Sequence, residues 1–197
     1  MKFIDNYIMS NQAPRGHHVP QATVIHYTVT RTAAAALNWF KNPAAKASAH
    51  YIVDKDGTVI RVVPVTASAY AVGRALLSNE NTVSIEVVNL GWLDTNCAPE
   101  EYVKAELLWP DPHVRAPSSR PCHWEPFTNS QYDAVHEILG EIAATFPSAV
   151  KHICGHCDIA LPCGRKVDPG PLFDYARVAT PEQLKAFHIT RSNIINT

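Results

Sequence analysis

A chain of 197 residues and 21.7 kDa has room for one domain with a buried core and is short for two. With 46% hydrophobic and 18% charged residues, its composition excludes a disordered chain. A net charge of −1 and a pI near 6.8 exclude the global basic field that would point to nucleic acid or an anionic membrane.

The chain opens Met1-Lys2-Phe3-Ile4-Asp5-Asn6-Tyr7, where Asp5 and Asn6 interrupt any apolar core. The sequence therefore predicts neither a signal peptide nor a membrane span, and synthesis in the cytoplasm is expected. Residues 1–21 read as an irregular N-terminal arm broken by Pro14, Gly16 and Pro20, with His17 and His18 solvated. Thr23-Val24-Ile25-His26-Tyr27-Thr28 is a short β-branched and aromatic run, the pattern of a buried strand. Thr32 to Lys41 is Ala-rich with apolar residues at helical spacing and predicts a helix with a Thr cap. His50–Asp54 and Thr58–Val63 flank an Asp56-Gly57 turn and predict a hairpin.

Thr82 to Asn89 reads as a strand carrying one carboxylate, Glu86. Residues 90–126 hold six prolines and no clear period, so a long loop insertion is expected, with a short helix near Glu100–Leu107. Ser130 to Phe146 is an amphipathic helix with Val135, Ile138, Leu139 and Ile142 on one stripe. Val150 to Cys154 reads as a strand and residues 155–171 as a loop. Thr180-Pro181-Glu182 opens a C-terminal helix and tail over 179–197. Strands interleaved with helices predict a single α/β domain built on a mixed central β-sheet flanked by helices. Its main body is expected over residues 22–178.

Three polar residues stand where predicted strands end: His26, His156 and Asp168, the last twelve residues beyond His156. Two imidazoles and a carboxylate, with a fourth position open to water, form a recurring catalytic zinc set. Such a site also needs a proton acceptor and a donor or cation for a developing oxyanion, and Glu86 and Lys166 are candidates. Spacing alone leaves the bland alternative open, because a chain with ten histidines places some of them in its core by chance. Glu86 could be a salt-bridged strand residue, though a lone carboxylate in so apolar a run needs a reason, and Lys166 could be a solvated loop lysine. The five cysteines, Cys97, Cys122, Cys154, Cys157 and Cys163, form no complete disulfide framework. A Cys97–Cys122 bridge and free thiols both remain open. Cys154 and Cys157 have the spacing of a structural zinc pair, but no second pair follows.

The words around these residues are more specific. Val24-Ile25-His26-Tyr27-Thr28, Ser48-Ala49-His50-Tyr51-Ile52-Val53-Asp54-Lys55-Asp56-Gly57-Thr58, Ser84-Ile85-Glu86-Val87-Val88-Asn89, and Gly155-His156-Cys157-Asp158 with Gly164-Arg165-Lys166-Val167-Asp168-Pro169-Gly170-Pro171 occur in that order. Together they resemble the type 2 N-acetylmuramoyl-L-alanine amidase family, which includes bacterial muropeptide amidases, phage amidases and peptidoglycan recognition proteins. The resemblance covers about residues 22–178. It implies one zinc ion per chain on His26, His156 and Asp168, Glu86 as the proton acceptor and Lys166 as the cation near the oxyanion. It also implies hydrolysis of the amide between N-acetylmuramic acid and L-alanine in peptidoglycan or muropeptides, reached by release or delivery to the wall or within the cell. The alternative is a recognition module of the same fold that binds muropeptides without cleaving them. A helix-borne His-Glu-x-x-His zinc peptidase motif is not present in the sequence.

Two departures from the family pattern bear on substrate contacts. Ser68-Ala69-Tyr70-Ala71-Val72-Gly73 stands where many members carry Trp-His-Ala-Gly, and Leu161-Pro162-Cys163 lengthens the last loop. Tyr70 and His50 are expected to line the substrate groove. The expected partners are the peptidoglycan or muropeptide substrate, with no nucleic acid and no membrane insertion; the sequence assigns no oligomeric state.

Overall fold

A computed structural model describes residues 1–93, 99–105 and 122–183. The main sheet is mixed, as expected, with six strands among the described residues. They are β1 (Phe3–Asp5), β3 (Ala22–Tyr27), β4 (Tyr51–Val53), β5 (Val59–Arg61), β7 (Thr82–Val87) and β11 (Ile153–Gly155), in the spatial order β1-β5-β4-β7-β3-β11. β4 and β5 form the predicted hairpin and pair antiparallel, while β4, β7, β3 and β11 run parallel to one another. The hairpin turn needs Gly57: its φ is +83°, and a Cβ there would meet the Ser130 carbonyl oxygen at 2.7 Å.

Alternation along the strands assigns the two sheet faces. Ile25, Tyr51, Val53, Val83, Ile85 and Val87 pack against α2 (Asn129–Thr145), which turns Val135, Ile138, Leu139 and Ile142 toward them. Each such fully buried aliphatic side chain contributes ~1.5–3 kcal/mol. Thr128 and Gln131 close the start of α2 as a reciprocal capping box. On the other face, α1 (Ala33–Lys41), capped by Thr32, buries Ala33, Ala36, Leu37 and Phe40 against Ile52, Ile60 and Val88. Among the described residues, no helix is long and apolar enough to cross a membrane.

Three segments differ from the sequence expectation. The arm over residues 1–21 is not irregular: β1 joins the main sheet beside β5, and β2 (Gln12–Pro14) pairs antiparallel with β6 (Ala67–Ala69). Strands of three residues are too short to show a period; their partners define them. Within the described part of the helix expected near Glu100–Leu107, β9 (Val103–Ala105) pairs instead with β10 (Cys122–Trp124), which also pairs with β8 (Trp92–Leu93); residues 94–98 and 106–121 of the long loop expected over 90–126 lie outside the described residues. Trp124 is buried and its Nε1–H donates to the Ala105 carbonyl at 3.1 Å, so tertiary pairing overrides the local helical pattern. Residues 155–171 are not wholly a loop, because a one-turn helix α3 (His156–Ile159) follows β11 directly. The expected C-terminal helix is described only to Gln183, where Thr180 and Gln183 exchange capping hydrogen bonds; its remainder, and a Cys97–Cys122 bridge, lie outside the described residues.

Candidate metal centre

The parallel strands β7, β3 and β11 are neighbours, and their C-terminal ends open at one edge of the sheet, the usual place for a ligand site in such sheets. Glu86 sits opposite His26 in the β7–β3 register, and Gly155 opposite Ile25 in the β11–β3 register, which sets His156 beside His26. The two imidazole centroids are 4.6 Å apart, edge to face. Asp168 comes from the following loop, held by a backbone hydrogen bond from Cys157 N–H to its carbonyl at 2.9 Å. One ligand atom from each of His26, His156 and Asp168 lies within 4.8 Å of the others, and all three residues are buried.

The contacts among these atoms indicate what the cluster can hold. His26 Nδ1 and His156 Nδ1 both approach the same oxygen, Asp168 Oδ2, at 3.0 and 3.1 Å. His156 Nε2–H donates to the Val72 carbonyl at 3.0 Å, so in the neutral ring Nδ1 presents a lone pair toward the carboxylate. Two acceptors at that distance require a proton or a cation between them. A carbonyl that fixes the far nitrogen of a histidine is also a common support for a metal ligand. Burial holds the His26 pKa below its ordinary value, partly opposed by its hydrogen bond to Asp168, so the ring stays neutral as a metal ligand must be. Burial alone would raise the Asp168 carboxyl, but the His156 and His26 imidazoles beside it outweigh that and hold it well below the usual carboxylate range. Glu86 Oε2 is buried without a protein partner, as expected of an acceptor facing a metal-bound water. This donor set suits zinc.

The cluster forms part of the wall of a cavity of about 670 Å³ that is also lined by Glu86, Lys166, Tyr70 and Trp39. Burial, reinforced by the nearby Asp168 charge, pushes the Glu86 carboxyl up to about 8, with the Lys166 charge opposing. Five residues singled out in the sequence, His26, Glu86, His156, Lys166 and Asp168, thus share one cavity, and Tyr70 joins them on its wall.

His50 does not line the cavity, contrary to the sequence expectation. It is fully buried; its Nδ1 accepts the Ser84 N–H at 3.0 Å and its Nε2–H donates to the Ala67 carbonyl at 3.1 Å. The Arg15 guanidinium lies 2.9 Å from its Nε2. A histidine beginning a strand reads the same from sequence whichever way its side chain turns. Sequence reasoning also passed over Arg15, which donates to the carbonyls of Val65, Ala67, Asn79, Glu80 and Thr82. No sequence signal marks a guanidinium whose partners are backbone carbonyls. Arg165 was likewise missed; it donates to the carbonyls of Leu161, Val72 and Arg74 and ties the loop that carries Asp168 to the segment whose Val72 carbonyl orients His156.

Comparison with known proteins finds both a family and a shared fold. The profile of the family described as N-acetylmuramoyl-L-alanine amidase matches residues 16–171. The 1,6-anhydro-N-acetylmuramyl-L-alanine amidase AmpD of Escherichia coli (strain K12) is 25% identical over 137 residues, which cover 67% of this chain and 56% of that protein. Its namesake from Haemophilus influenzae is 43% identical over 54 residues, 27% of this chain and 28% of that one. The chain therefore spans little more than half the length of the first of these relatives. Among solved structures, a selenomethionine AmpD derivative superposes with a TM-score of 0.61 at 19% identity, covering 91% of this chain and 95% of that one. The amidase AmiD from E. coli, in complex with anhydro-N-acetylmuramic acid-L-Ala-D-γ-Glu-L-Lys, also gives 0.61, at 23% identity over 84% of this chain and 57% of that one. These superpositions establish a shared fold.

Proposed function

Because this chain belongs to the N-acetylmuramoyl-L-alanine amidase family, we propose that it hydrolyses the amide between N-acetylmuramic acid and L-alanine in muropeptides or peptidoglycan, with one zinc ion held by His26, His156 and Asp168. The observation that carries the reading is the convergence of two imidazoles on one buried carboxylate oxygen beside a buried, unpartnered Glu86 Oε2. The likeness to AmiD, solved with an anhydro-muramyl tripeptide, supports this substrate class.

A zinc ion bound there supplies Lewis acidity, making hydroxide available near neutral pH and polarising a carbonyl oxygen. Glu86 Oε2, buried beside the ligand set without a protein partner, accepts the proton lost by the attacking water and returns it to the departing L-alanine nitrogen. The Lys166 ammonium, on the same cavity wall, opposes the charge that develops on the former carbonyl oxygen. The Val72 carbonyl holds the His156 ring in its orientation, and Arg165 holds that carbonyl at 3.2 Å. A non-catalytic muropeptide binder would have no need of a proton acceptor poised beside the ligand set.

The test is metal analysis together with mass spectrometry of digests of purified sacculi and anhydro-muropeptides. The expected result is one zinc per chain and free stem peptides beginning with L-alanine. Intact substrates after incubation with zinc-loaded protein would leave only the binding reading.

A further inference from the structure

The wall of the cavity carries an aromatic side chain that the chemistry above does not use. α1 lines the cavity with Ala35, Ala36, Trp39 and Phe40. Ala36 and Phe40 are buried and fasten the helix to the sheet, but Trp39 is 56% exposed and contributes little to that core. An indole left in water on a rigid helix beside a reaction centre is an unsatisfied contact surface.

Its position is fixed by the N-terminal arm, most of which lies outside the family match over residues 16–171. Asn11 Nδ2 donates to the Phe40 carbonyl at 2.9 Å and the Asn42 carbonyl at 2.8 Å, closing the C-terminal end of α1 just beyond Trp39. The Asn11 carbonyl accepts from Ser48 Oγ. Ser48 Oγ in turn accepts the Tyr70 N–H at 2.9 Å, and Ser48 N–H donates to the Tyr70 carbonyl at 3.0 Å. Tyr70 OH completes the link by donating to the Gln12 carbonyl at 3.3 Å. Asn11 is buried, with φ of 56°, a conformation that asparagine tolerates better than most residues. One arm residue thus couples the α1 wall bearing Trp39 to the wall bearing Tyr70.

We propose that Trp39 is a saccharide subsite: its indole receives the C–H face of a pyranose ring of the substrate, and Asn11 is the positioning residue that sets Trp39 relative to Tyr70. A flat aromatic face matches the apolar face of a sugar, while the peptide end of the substrate is left to the metal side of the cavity. The proposal rests on the amidase reading and deepens it, by naming which part of the substrate this wall selects.

The test uses two probes on zinc-free full-length protein, so that binding is read without turnover: N-acetylmuramyl-L-alanyl-D-isoglutamine and the sugar-free N-acetyl-L-alanyl-D-isoglutamine. The expected result is a preference of tenfold or more for the muramyl probe, abolished in Trp39→Ala, partly kept in Trp39→Phe, and reduced in Asn11→Ala. Affinity for the sugar-free probe stays unchanged in all three variants, and the unchanged second affinity shows that the variants are folded. Equal loss on both probes, or no loss on either, overturns the saccharide assignment. Failure of Asn11→Ala to reduce the preference overturns the clamp. If the wild-type protein neither binds the muramyl probe nor cleaves muropeptides, the amidase reading falls and takes this proposal with it. If it does both while Trp39→Ala is indistinguishable from it, only the present proposal falls.

Discussion

Glu86 stands directly across from His26 in the parallel register of β7 and β3, with its Oε2 buried and unpartnered. Strand pairing therefore delivers a carboxylate to the side of a candidate ligand without making it one. Glu86→Gln keeps the shape and removes the proton acceptor. The variant is expected to retain stoichiometric zinc and lose ~10²–10⁴-fold in kcat on a muropeptide. Near wild-type turnover, measured beside metal content, would return Glu86 to a structural role.

Lys166 precedes Asp168 by two residues and lines the same cavity. Lys166→Ala is expected to fold, hold zinc and fall by ~10²–10³-fold in kcat with little change in KM, the signature of a contact made only in the transition state. Lys166→Arg should recover part of the rate, since a planar fork replaces a compact ammonium. Steady-state kinetics decide it: a defect confined to KM assigns Lys166 to substrate binding.

Arg15 is 3% exposed and serves five backbone carbonyls. Burial lowers its pKa to about 10, which leaves it charged at neutral pH. Arg15→Met strands those carbonyls without a donor, each such loss costing ~1–3 kcal/mol where water cannot replace it. The zinc-free variant is expected to lose at least ~3 kcal/mol, a fall in Tm of roughly 6–12 °C for a domain of this size. A shift under 2 °C in calorimetry would show that water replaces the guanidinium at little cost.

His50 shares the Ala67 carbonyl with that arginine and makes stability sensitive to acid. Burial, then the Arg15 charge, lowers its pKa to about 3. The unfolded chain therefore takes up this proton first, near the ordinary histidine value. The contribution is complete above ~pH 6.5 and declines as pH falls toward 3, by up to ~1.4 kcal/mol per pH unit. Protonation would also remove the Nδ1 acceptor of the Ser84 N–H. Urea midpoints of zinc-free protein between pH 7.5 and 4.5 should fall more steeply for wild type than for His50→Gln, whatever their difference at neutral pH. The comparison matters because His26, also held below its ordinary pKa, contributes in the same direction in both proteins. Parallel curves would remove His50 from the acid response.

The sequence by itself determined the mixed α/β fold, the hairpin, both main helices and the order of the residues that line the cavity. It could do so because apolar periodicity, the Thr32 and Thr128 caps and the Asp56-Gly57 turn are local signals, and because the motif around Asp168 is specific as a string. Only the tertiary structure decided which way His50 points, that Arg15 enters the core, that residues 103–105 pair as a strand, and that Asn11 joins Trp39 to Tyr70. Each of these depends on partners 17 to 67 residues away in the chain, several of them backbone carbonyls, which carry no side-chain identity for a sequence to display.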